Sequence, residues 1–405
     1  MSSTKYLFVS VPSSITPSGH KDDALAALQK AANPSNGSVL PLAVPEFKIG
    51  TLDALLQQSD ELAKLGGLCA SVVSKVGDTL KNVLDGDEEK IAMHKTVNDK
   101  REDEDEDEEH RMLTLGYLRS FSWNKVKYRA DRPLAELIDL LQKEANSIDN
   151  DVRSKYNQYN SLRTQLQTLT RRQQGNLSTK SLLSVVQPSI LVQNQQSEHL
   201  ETHLVAVPNG NVKEFMRSYE TLAPMVVPRS AQFVAQDDEY SLYAVTTFKK
   251  HSAEFLHKVR ERKWVPRDYK FKEGGKEEEE RELKKTEAEE KRVWGEALRL
   301  GRTGWSEAVM CLVHVVVLRV FVETVLRYGL PLDFVAVLIK TDGKREKNVR
   351  KGLDNEYSYL AGNAFGRDKK GRVMKDEGMG QQDMVAGGGD QGEYSAYVCY
   401  DIEVD

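Results

Sequence analysis

One long stretch decides the fold of this chain: residues 133–170, which read PLAELIDLLQKEANSIDNDVRSKYNQYNSLRTQLQTLT. Apolar residues recur along it at alternating spacings of four and three, and only the lysine at position 155 interrupts the series. The apolar positions are Leu134, Ile138, Leu141, Ala145, Ile148, Val152, Tyr159, Leu162, Leu166 and Leu169. This heptad seam predicts one helix of roughly 55 Å, and its apolar stripe needs a partner to bury it.

A second helical pattern, residues 276–300, supplies a candidate partner for that stripe. Glutamate, lysine and arginine dominate the segment, and its sparse apolar positions are Leu283, Ala288, Val293, Ala297 and Leu300. The pattern is typical of an exposed helix with ion pairs along its surface. We predict that this helix returns antiparallel to the first and forms a neck with it. The alternative is a solvated helix without that partner.

Between the two helices, the sequence predicts a small α+β domain, which we call the head. Runs of β-branched and aromatic residues alternate there with helical patterns and turn residues. The predicted strands are 203–207, 225–234 and 240–248, and the predicted helices are 212–222 and 252–262.

Both ends of the chain predict strands that belong to one further sheet. The apolar run Tyr6–Val11 stops at Pro12, and the last stretch, Tyr394–Val404, alternates apolar and polar residues. Each strand needs a partner, so we predict that the two share a sheet. Helices are predicted at 51–64 and 68–84, separated by Gly66 and Gly67, and a third helix is predicted at 305–328. Residues 341–392 are predicted to form a polar segment.

These patterns together predict an α+β fold shaped as an elongated dumbbell. A foot domain is built from both termini, a long antiparallel helical pair forms the neck, and the head is a smaller α+β domain. The predicted boundaries are 1–132 for the N-terminal part of the foot, 133–175 for the outgoing neck helix, 176–268 for the head, 269–303 for the returning neck helix and 304–405 for the C-terminal part of the foot. This layout favours a two-ended connector that binds partners.

Composition argues against several other classes of protein. A net charge of -5 over 405 residues offers no clustered positive field for nucleic acid. Cys69, Cys311 and Cys399 are far apart in the sequence, which predicts reduced thiols and no disulfide framework. The most apolar run, Met310–Val322, has about 13 residues, whereas a membrane helix needs roughly 20. It predicts a buried helix, and Tyr6–Val11 is too short for a secretory signal. We expect a cytoplasmic protein.

Motifs of catalysis and cofactor binding are missing from the sequence. It contains neither a phosphate-binding loop ending in Gly-Lys-Ser/Thr nor a Gly-x-Ser-x-Gly nucleophile elbow. His199 and His203 have the spacing of a helical metal site, but His203 opens a predicted strand, so no metal is expected there. His314 lies on an apolar helical face, where a buried core histidine is expected. We predict no catalytic, cofactor-binding or metal-binding residues.

Mixed aromatic and basic residues in the head indicate a candidate partner-binding surface. Tyr240, Tyr243 and Phe248 lie on one predicted strand, which runs directly into Lys249 and Lys250. Aromatic and arginine side chains commonly anchor protein interfaces. The alternative is an ordinary half-buried strand with a polar outer face.

Several motifs along the chain, in this order, resemble those of the C subunit of the eukaryotic vacuolar-type proton-pumping ATPase (V-type ATPase). The motifs are FKIGTLD (47–53), Trp123 with Lys127 and Tyr128, LVAVP (204–208), MVVPRSA (225–231), DEYSLY (238–243) with FKK (248–250), and LRVFVETVLRYGLP (318–331). The resemblance covers most of the chain. The chain departs from the family's pattern in an apolar 315–317, an acidic run at 101–110 and a Gly- and Met-rich segment near 378–389. The last two look like insertions. The acidic run is expected to be a surface loop, or alternatively an arm for a basic partner.

The resemblance implies a stator part of a rotary motor, with foot, neck and head. The head would bind a peripheral stalk made of the E and G subunits. The foot would bind a second such stalk and the cytoplasmic domain of the membrane-sector a subunit. Such a protein hydrolyses no ATP, meets vacuolar membranes only through the complex, and returns to the cytosol on reversible disassembly. The residues then expected at or near the contact with E and G are Arg229, Tyr240, Tyr243, Phe248, Lys249 and Lys250.

A connector of another class is the alternative reading. In a cytoskeletal or trafficking adaptor, the neck would be a generic coiled coil whose two ends bind filament and cargo. Some members of the resembled family bind actin, so actin is also a possible partner of a protein of that family.

Overall fold

The structure, a computed structural model, describes residues 4–98, 111–186, 197–269, 274–360, 365–367, 373–375 and 395–403. It is a mixed helix and sheet fold that divides into two compact units. The terminal unit comprises residues 1–156 and 296–405, so both ends of the chain contribute to it, and the central unit comprises residues 157–295. The acidic run 101–110 and the Gly- and Met-rich segment 378–389 lie outside the described residues.

Helices and strands alternate irregularly along the chain. The helices are α1 (Lys21–Ala32), α2 (Leu52–Val83), α3 (Glu88–His94), α4 (Thr114–Arg119), α5 (Leu134–Gln174), α6 (Val212–Ser218), α7 (Ser252–Glu261), α8 (Gly275–Tyr328) and α9 (Glu346–Tyr357). The strands are β1 (Thr4–Pro12), β2 (Gly37–Pro41), β3 (Thr96–Asn98), β4 (Arg111–Leu113), β5 (Leu200–Pro208), β6 (Gln232–Gln236), β7 (Tyr240–Phe248), β8 (Val265–Arg267), β9 (Phe334–Asp342), β10 (Phe365–Arg367), β11 (Val373–Lys375) and β12 (Val398–Glu403).

The terminal unit is built on a four-stranded antiparallel sheet with strand order β12-β1-β9-β2. The predicted pairing of the two chain ends is confirmed, because Phe8 of β1 lies opposite Tyr400 of β12. On its other side β1 pairs with β9, a strand that the sequence analysis did not predict. The terminal residues 394 and 404 of the predicted last strand are outside the described part of the chain.

Both faces of this sheet are covered by helices. Alternate residues of β1 point to opposite faces, as the period of a strand requires. Tyr6 and Phe8 belong to a core formed with α2, α5 and α8, whereas Leu7 and Val9 belong to a second core formed with α1 and α9. All four side chains are fully buried. The continuous apolar run of β1 is therefore explained by burial on two faces.

The two helices predicted on either side of Gly66 and Gly67 are a single helix, α2, so that expectation is wrong. Glycine costs about 1 kcal/mol relative to alanine inside a helix, which makes it a plausible break in a sequence. Here Gly66 faces α8, since a Cβ at this position would lie 3.1 Å from Nη1 of Arg319. A glycine pair inside a helix therefore does not have to end it.

The returning helix and the apolar helix after it are likewise continuous. They form α8, a helix of 54 residues, so the break predicted between 300 and 305 is wrong. Gly304 lies against α5, where a Cβ would come within 2.8 Å of Cγ2 of Val152. The glycine therefore marks a helix crossing inside the terminal unit, not a helix end.

The heptad seam is confirmed as the buried side of α5, a helix of 41 residues. Eight seam residues are buried: Leu134, Ile138, Leu141, Ala145, Ile148, Val152, Tyr159 and Leu169. Within the terminal unit, the lower-numbered residue Leu141 contacts Cys311 of α8, whereas Lys155 pairs with Glu296 at 3.1 Å. A later residue of α5 therefore contacts an earlier residue of α8, so the two helices run antiparallel within the terminal unit.

The apolar segment 310–322 is a buried helix, as predicted. Its helix, α8, is long and apolar enough by composition to cross a membrane, but 83% of the apolar window is buried inside the protein. A core helix of a folded domain has the same composition, so the apolarity is explained by packing.

The polar segment predicted at 341–392 contains an element that the sequence analysis missed. Helix α9 buries Val349, Leu353 and Tyr357, which recur every four residues along one face of the helix. The remaining positions are largely charged, which lowers the mean hydropathy of the segment and hides the periodic stripe. That stripe covers the sheet beside α1.

The central unit contains a second antiparallel sheet, with strand order β6-β7-β5-β8. Its helices α6 and α7 cover one face, and Leu177, Leu182 and Val186 cover the other. The strand at 240–248 is confirmed, and the strand and helices predicted nearby differ from the observed elements by a few residues at their ends. The short strand β8 was not predicted.

The strand predicted at 225–234 is wrong for most of its length. Met225 and Arg229 have φ angles of 62° and 55°, a left-handed conformation that interrupts an extended strand. The regular strand, β6, begins only at Gln232. β-Branched residues at 226 and 227 gave a strand signal, but turns on either side of them bend the chain.

Candidate partner-binding site

The predicted contact residues lie on or beside β7, an inner strand of the central sheet. Residues 225–230 run alongside the C-terminal half of this strand. The Val227 N–H donates to the Thr246 carbonyl at 3.0 Å, and the Phe248 N–H donates to the Met225 carbonyl at 3.2 Å. These bonds bring the segment that carries Arg229 next to the end of β7, where Lys249 and Lys250 follow.

The aromatic members of the predicted set serve mainly as packing residues. Tyr243 is only 8% exposed, and its ring lies 5.2 Å from that of Phe215 and 5.9 Å from that of Phe233. Tyr240 and Phe248 are half-buried at the two ends of β7. The strand is therefore a rigid support, and Tyr243 has little surface to offer a partner.

The basic members of the set are exposed. The Lys249 N–H donates to the His199 carbonyl at 2.8 Å, and its ammonium donates to the Ser197 carbonyl at 2.8 Å. Lys250 follows it and is also exposed. Two consecutive positive charges thus follow the end of an inner strand, in a short 3-10 helix over Lys249–His251.

Arg229 is held in its left-handed conformation by Glu220. The backbone N–H of Arg229 donates to Oε1 of Glu220 at 2.8 Å, and the Tyr219 hydroxyl donates to the same oxygen at 2.9 Å. These hydrogen bonds lower the pKa of Glu220. A left-handed non-glycine residue costs free energy and persists where neighbouring contacts fix it. The clamp leaves the Arg229 side chain exposed.

Sequence reasoning missed Phe233, a large apolar side chain four residues after Arg229. It is 58% exposed, on the edge strand β6, with one side of its ring against Tyr243. Met225 is also exposed, to 59%. Phe233 was included in a predicted strand, and no alternation in the sequence distinguished it as an outward-facing residue.

His203, one of the two histidines with metal-like spacing, is part of a hydroxyl cluster. Its Nε2 lies 3.1 Å from Oγ1 of Thr247 and 3.2 Å from Oγ of Ser252. Burial lowers the pKa of His203, so the neutral ring is favoured. Among the described residues, no group of three His, Cys, Asp or Glu side chains has the arrangement of a metal site.

His314 is a core residue, as predicted. The Asn124 N–H donates to its Nε2 at 3.2 Å, which leaves Nδ1 to donate to the Met310 carbonyl at 2.6 Å. The rings of Phe121, Trp123 and Tyr128 surround it at 4.7–5.2 Å. Burial lowers the pKa of His314 to about 4.

Comparison with known proteins assigns the chain to a family. A family model that describes the C subunit of the V-ATPase matches residues 6–398. The chain belongs to this V-ATPase C-subunit family. A relative in Danio rerio, the C 1-A subunit of the V-type proton ATPase, is 33% identical over 400 residues, which cover 99% of this chain and 98% of the relative.

Other members of the V-ATPase C-subunit family show similar identity. The V-type proton ATPase C subunit of Saccharomyces cerevisiae is 33% identical over 92% of this chain and 91% of its own length. The C 1 subunit of Macaca fascicularis is 35% identical over 89% of this chain and 88% of its own. The family is an accessory component of the proton-transporting ATPase and is distinct from the catalytic component.

Proposed function

We propose that this chain is a non-catalytic peripheral stator component of the V-type proton ATPase. It bridges peripheral stalks of the E and G subunits to the membrane-sector a subunit, and it controls reversible assembly of the soluble and membrane sectors. In this role it supports ATP-driven proton transport and the acidification of organelles. The observation that carries the proposal is the V-ATPase C-subunit family match over residues 6–398.

The proposal includes the elongated dumbbell, with a foot (1–132 and 304–405), a helical neck (133–175 and 269–303) and a head (176–268). It is supported by the continuity of α5 and α8 and by their antiparallel packing inside the terminal unit. A pair of long helices transmits force with little bending. Two small interfaces at separate ends of the chain together give strong binding through avidity, yet each interface can dissociate by itself.

At the head, we propose that Arg229, Lys249 and Lys250 contact the stalk of E and G, on a support formed by Tyr240, Tyr243 and Phe248. The exposed cations and the buried aromatic support are consistent with this assignment. Phe233 joins the proposed site because its exposed ring, opposite Tyr243 and four residues after Arg229, adds apolar contact area.

The proposal places the chain on the cytosolic face of vacuolar and other endomembranes, where it is held through the complex. After disassembly, it is free in the cytosol. It binds neither nucleic acid nor a cofactor.

Affinity purification of the tagged chain from a vacuole-bearing cell tests the function. Recovery of the E and G subunits with the tagged chain supports the proposed function. Their absence from repeated purifications that keep complexes intact overturns it. The site is tested separately by pulldown of E and G with the K249E/K250E double variant. The matched control is K21E/K30E, which makes the same change in charge at exposed positions on α1 of the terminal unit. Binding of E and G by K249E/K250E that equals binding by the unaltered chain would remove the head assignment and leave the family unchanged.

A further inference from the structure

Cys69 and Cys311 are 242 residues apart in the sequence but adjacent in the terminal unit. Cys69 lies on α2 and Cys311 on α8, and their sulfur atoms are 3.7 Å apart. The three cysteines of the chain are free thiols, as the sequence predicted. Sequence spacing gave no sign that two of them meet, because a helix crossing brings them together.

This thiol pair is buried in the core that α2, α5 and α8 form with one face of the terminal sheet. Each cysteine is 1% exposed, and the Cys311 thiol donates a long hydrogen bond, 3.6 Å, to the Leu141 carbonyl of α5. Hydrogen bonding to Cys69 and burial raise the pKa of Cys311. A thiol must reach an oxidant and ionise before it reacts, so the closed core protects both sulfurs.

Cys399, the third thiol, lies in a different environment. It packs with the core on the opposite face of the terminal sheet, and Arg350 donates to its sulfur at 3.5 Å. Cys69 and Cys311 belong to the core on the α2 and α8 face. The sheet therefore separates Cys399 from the pair, which leaves Cys69 and Cys311 as each other's natural reaction partners.

We propose that Cys69 and Cys311 form an oxidative modification site, which closes to an intrachain disulfide when α2 and α8 separate enough to admit a hydroperoxide. Opening lets one thiol lose its proton, and the thiolate attacks a peroxide oxygen. The O–O bond breaks, a sulfenic acid forms, and the leaving alkoxide or hydroxide takes up a proton to give an alcohol or water. The second thiol then attacks the sulfenic sulfur, the S–S bond forms, and water leaves with the thiol proton. Two thiols and one organic hydroperoxide thus give one disulfide, one alcohol and one water, and with hydrogen peroxide they give one disulfide and two waters.

The linkage requires the sulfurs to approach from 3.7 Å to about 2.0 Å, which is within reach of a small shift of one helix. Once formed, the bond joins two helices that pack on the same core. The disulfide therefore forms only after α2 and α8 have separated, and it then prevents a further separation of these helices. This inference does not depend on the proposed stator function.

Oxidation of the full chain carrying Cys399→Ser tests the proposal, because this variant keeps the pair and removes the third thiol. The protein is treated with hydrogen peroxide in increasing, sub-denaturing urea. Thiols are then counted after denaturation, and peptides are mapped by mass spectrometry without reduction. We expect both remaining thiols to be lost, a peptide joining Cys69 to Cys311, and a rate that rises with urea in parallel with amide exchange of α2.

Two further variants separate the pair from general oxidation. Cys69→Ala and Cys311→Ala, made in the same background, should form no intrachain link. Mapping of the unaltered chain does not depend on the folding of either variant, and there we expect the same peptide joining Cys69 to Cys311. The proposal is overturned if both thiols persist under conditions where amide exchange shows that α2 opens. A dominant link to Cys399, or oxidation to sulfinic acid without a link, would also overturn it.

Discussion

Arg327 binds Glu323 inside the terminal unit, one turn away on α8. Its Nε donates to Oε1 of Glu323 at 2.8 Å, and its Nη1 donates to the carbonyls of Ser395 and Tyr397 at 2.8 and 3.1 Å. Glu323 is 2% exposed, and its second oxygen has no hydrogen-bond partner among the described residues. One arginine therefore neutralises a buried carboxylate and ties α8 to the segment leading into β12.

Replacing Arg327 by methionine should strongly destabilise the protein. The change leaves the Glu323 charge buried and unpaired, and removal of one partner of a buried ion pair typically costs about 3–5 kcal/mol. Urea unfolding measures the loss. Adding Glu323→Gln to the variant should recover part of it, because the unpaired charge is then gone. If Glu323→Gln regains none of the lost stability, the loss in the Arg327 variant comes mainly from the missing contacts with Ser395 and Tyr397.

Gly304→Ala and Gly67→Ala should change stability in opposite directions, although both lie inside helices. A Cβ at Gly304 would meet Cγ2 of Val152 at 2.8 Å, and such overpacking costs about 1–3 kcal/mol. A Cβ at Gly67 would meet no described atom within 4 Å, so alanine there should gain about 0.5–1 kcal/mol from helix propensity. Thermal unfolding of both variants measures the difference. Stabilisation by both would contradict the close crossing of α5 and α8.

His314 should make the protein less stable as the pH falls from about 6.5 to about 4. The unfolded histidine binds a proton below its ordinary pKa of 6.5, whereas burial lowers the folded pKa to about 4. Since the unfolded state binds more protons in this window, acidification favours unfolding, by up to about 3 kcal/mol.

Urea unfolding of the unaltered chain and of His314→Gln, measured at several pH values, isolates this contribution. The variant is expected to lose stability less steeply between pH 6.5 and 4, whatever its stability at neutral pH. Parallel pH profiles would show that other groups account for the acid sensitivity.

Phe233→Ala and Tyr243→Ala should separate partner binding from folding. Tyr243 is buried in the central core, so its truncation should cost about 3–5 kcal/mol, as for other large aromatic residues. Phe233 is 58% exposed, so its truncation should leave the unfolding transition nearly unchanged. On the proposed function, it should weaken binding of E and G about tenfold, in the range of an interface anchor.

Binding of E and G to folded Phe233→Ala, measured by calorimetry, is the deciding observation. Unchanged affinity would exclude Phe233 from the interface. A lowered unfolding transition would instead show that its ring supports Tyr243.

The fold was predictable where local pattern and burial agree. The seam from Leu134 to Leu169 specified α5 through its spacing alone, and Tyr240–Phe248 specified β7 through its β-branched and aromatic residues. The breaks expected at Gly66 and near Gly304 were not real, since a glycine that ends a helix and one that admits a neighbouring helix look alike in sequence. Helix α9 was missed because its buried stripe is diluted by charge.

The candidate site was predictable in its position but not in its exposed residues. The motifs led to β7 and to Lys249 and Lys250. They did not distinguish Tyr243 and Phe248, which are buried or half-buried, from the exposed cations. Only the packing shows Tyr243 buried under Phe233, and Arg229 clamped by Glu220. Exposure depends on the neighbours of a side chain, which lie on other strands and helices.

The sequence by itself determined the long helix α5, the sharing of one sheet by the two chain ends, and the family, because these follow from periodicity and from motifs in order. Tertiary structure alone decided where helices cross, which charges are buried, and that Cys69 lies 3.7 Å from Cys311. The physical reason is that periodicity records the environment of one element at a time. Contacts between residues distant in sequence arise only when several elements pack around a common core.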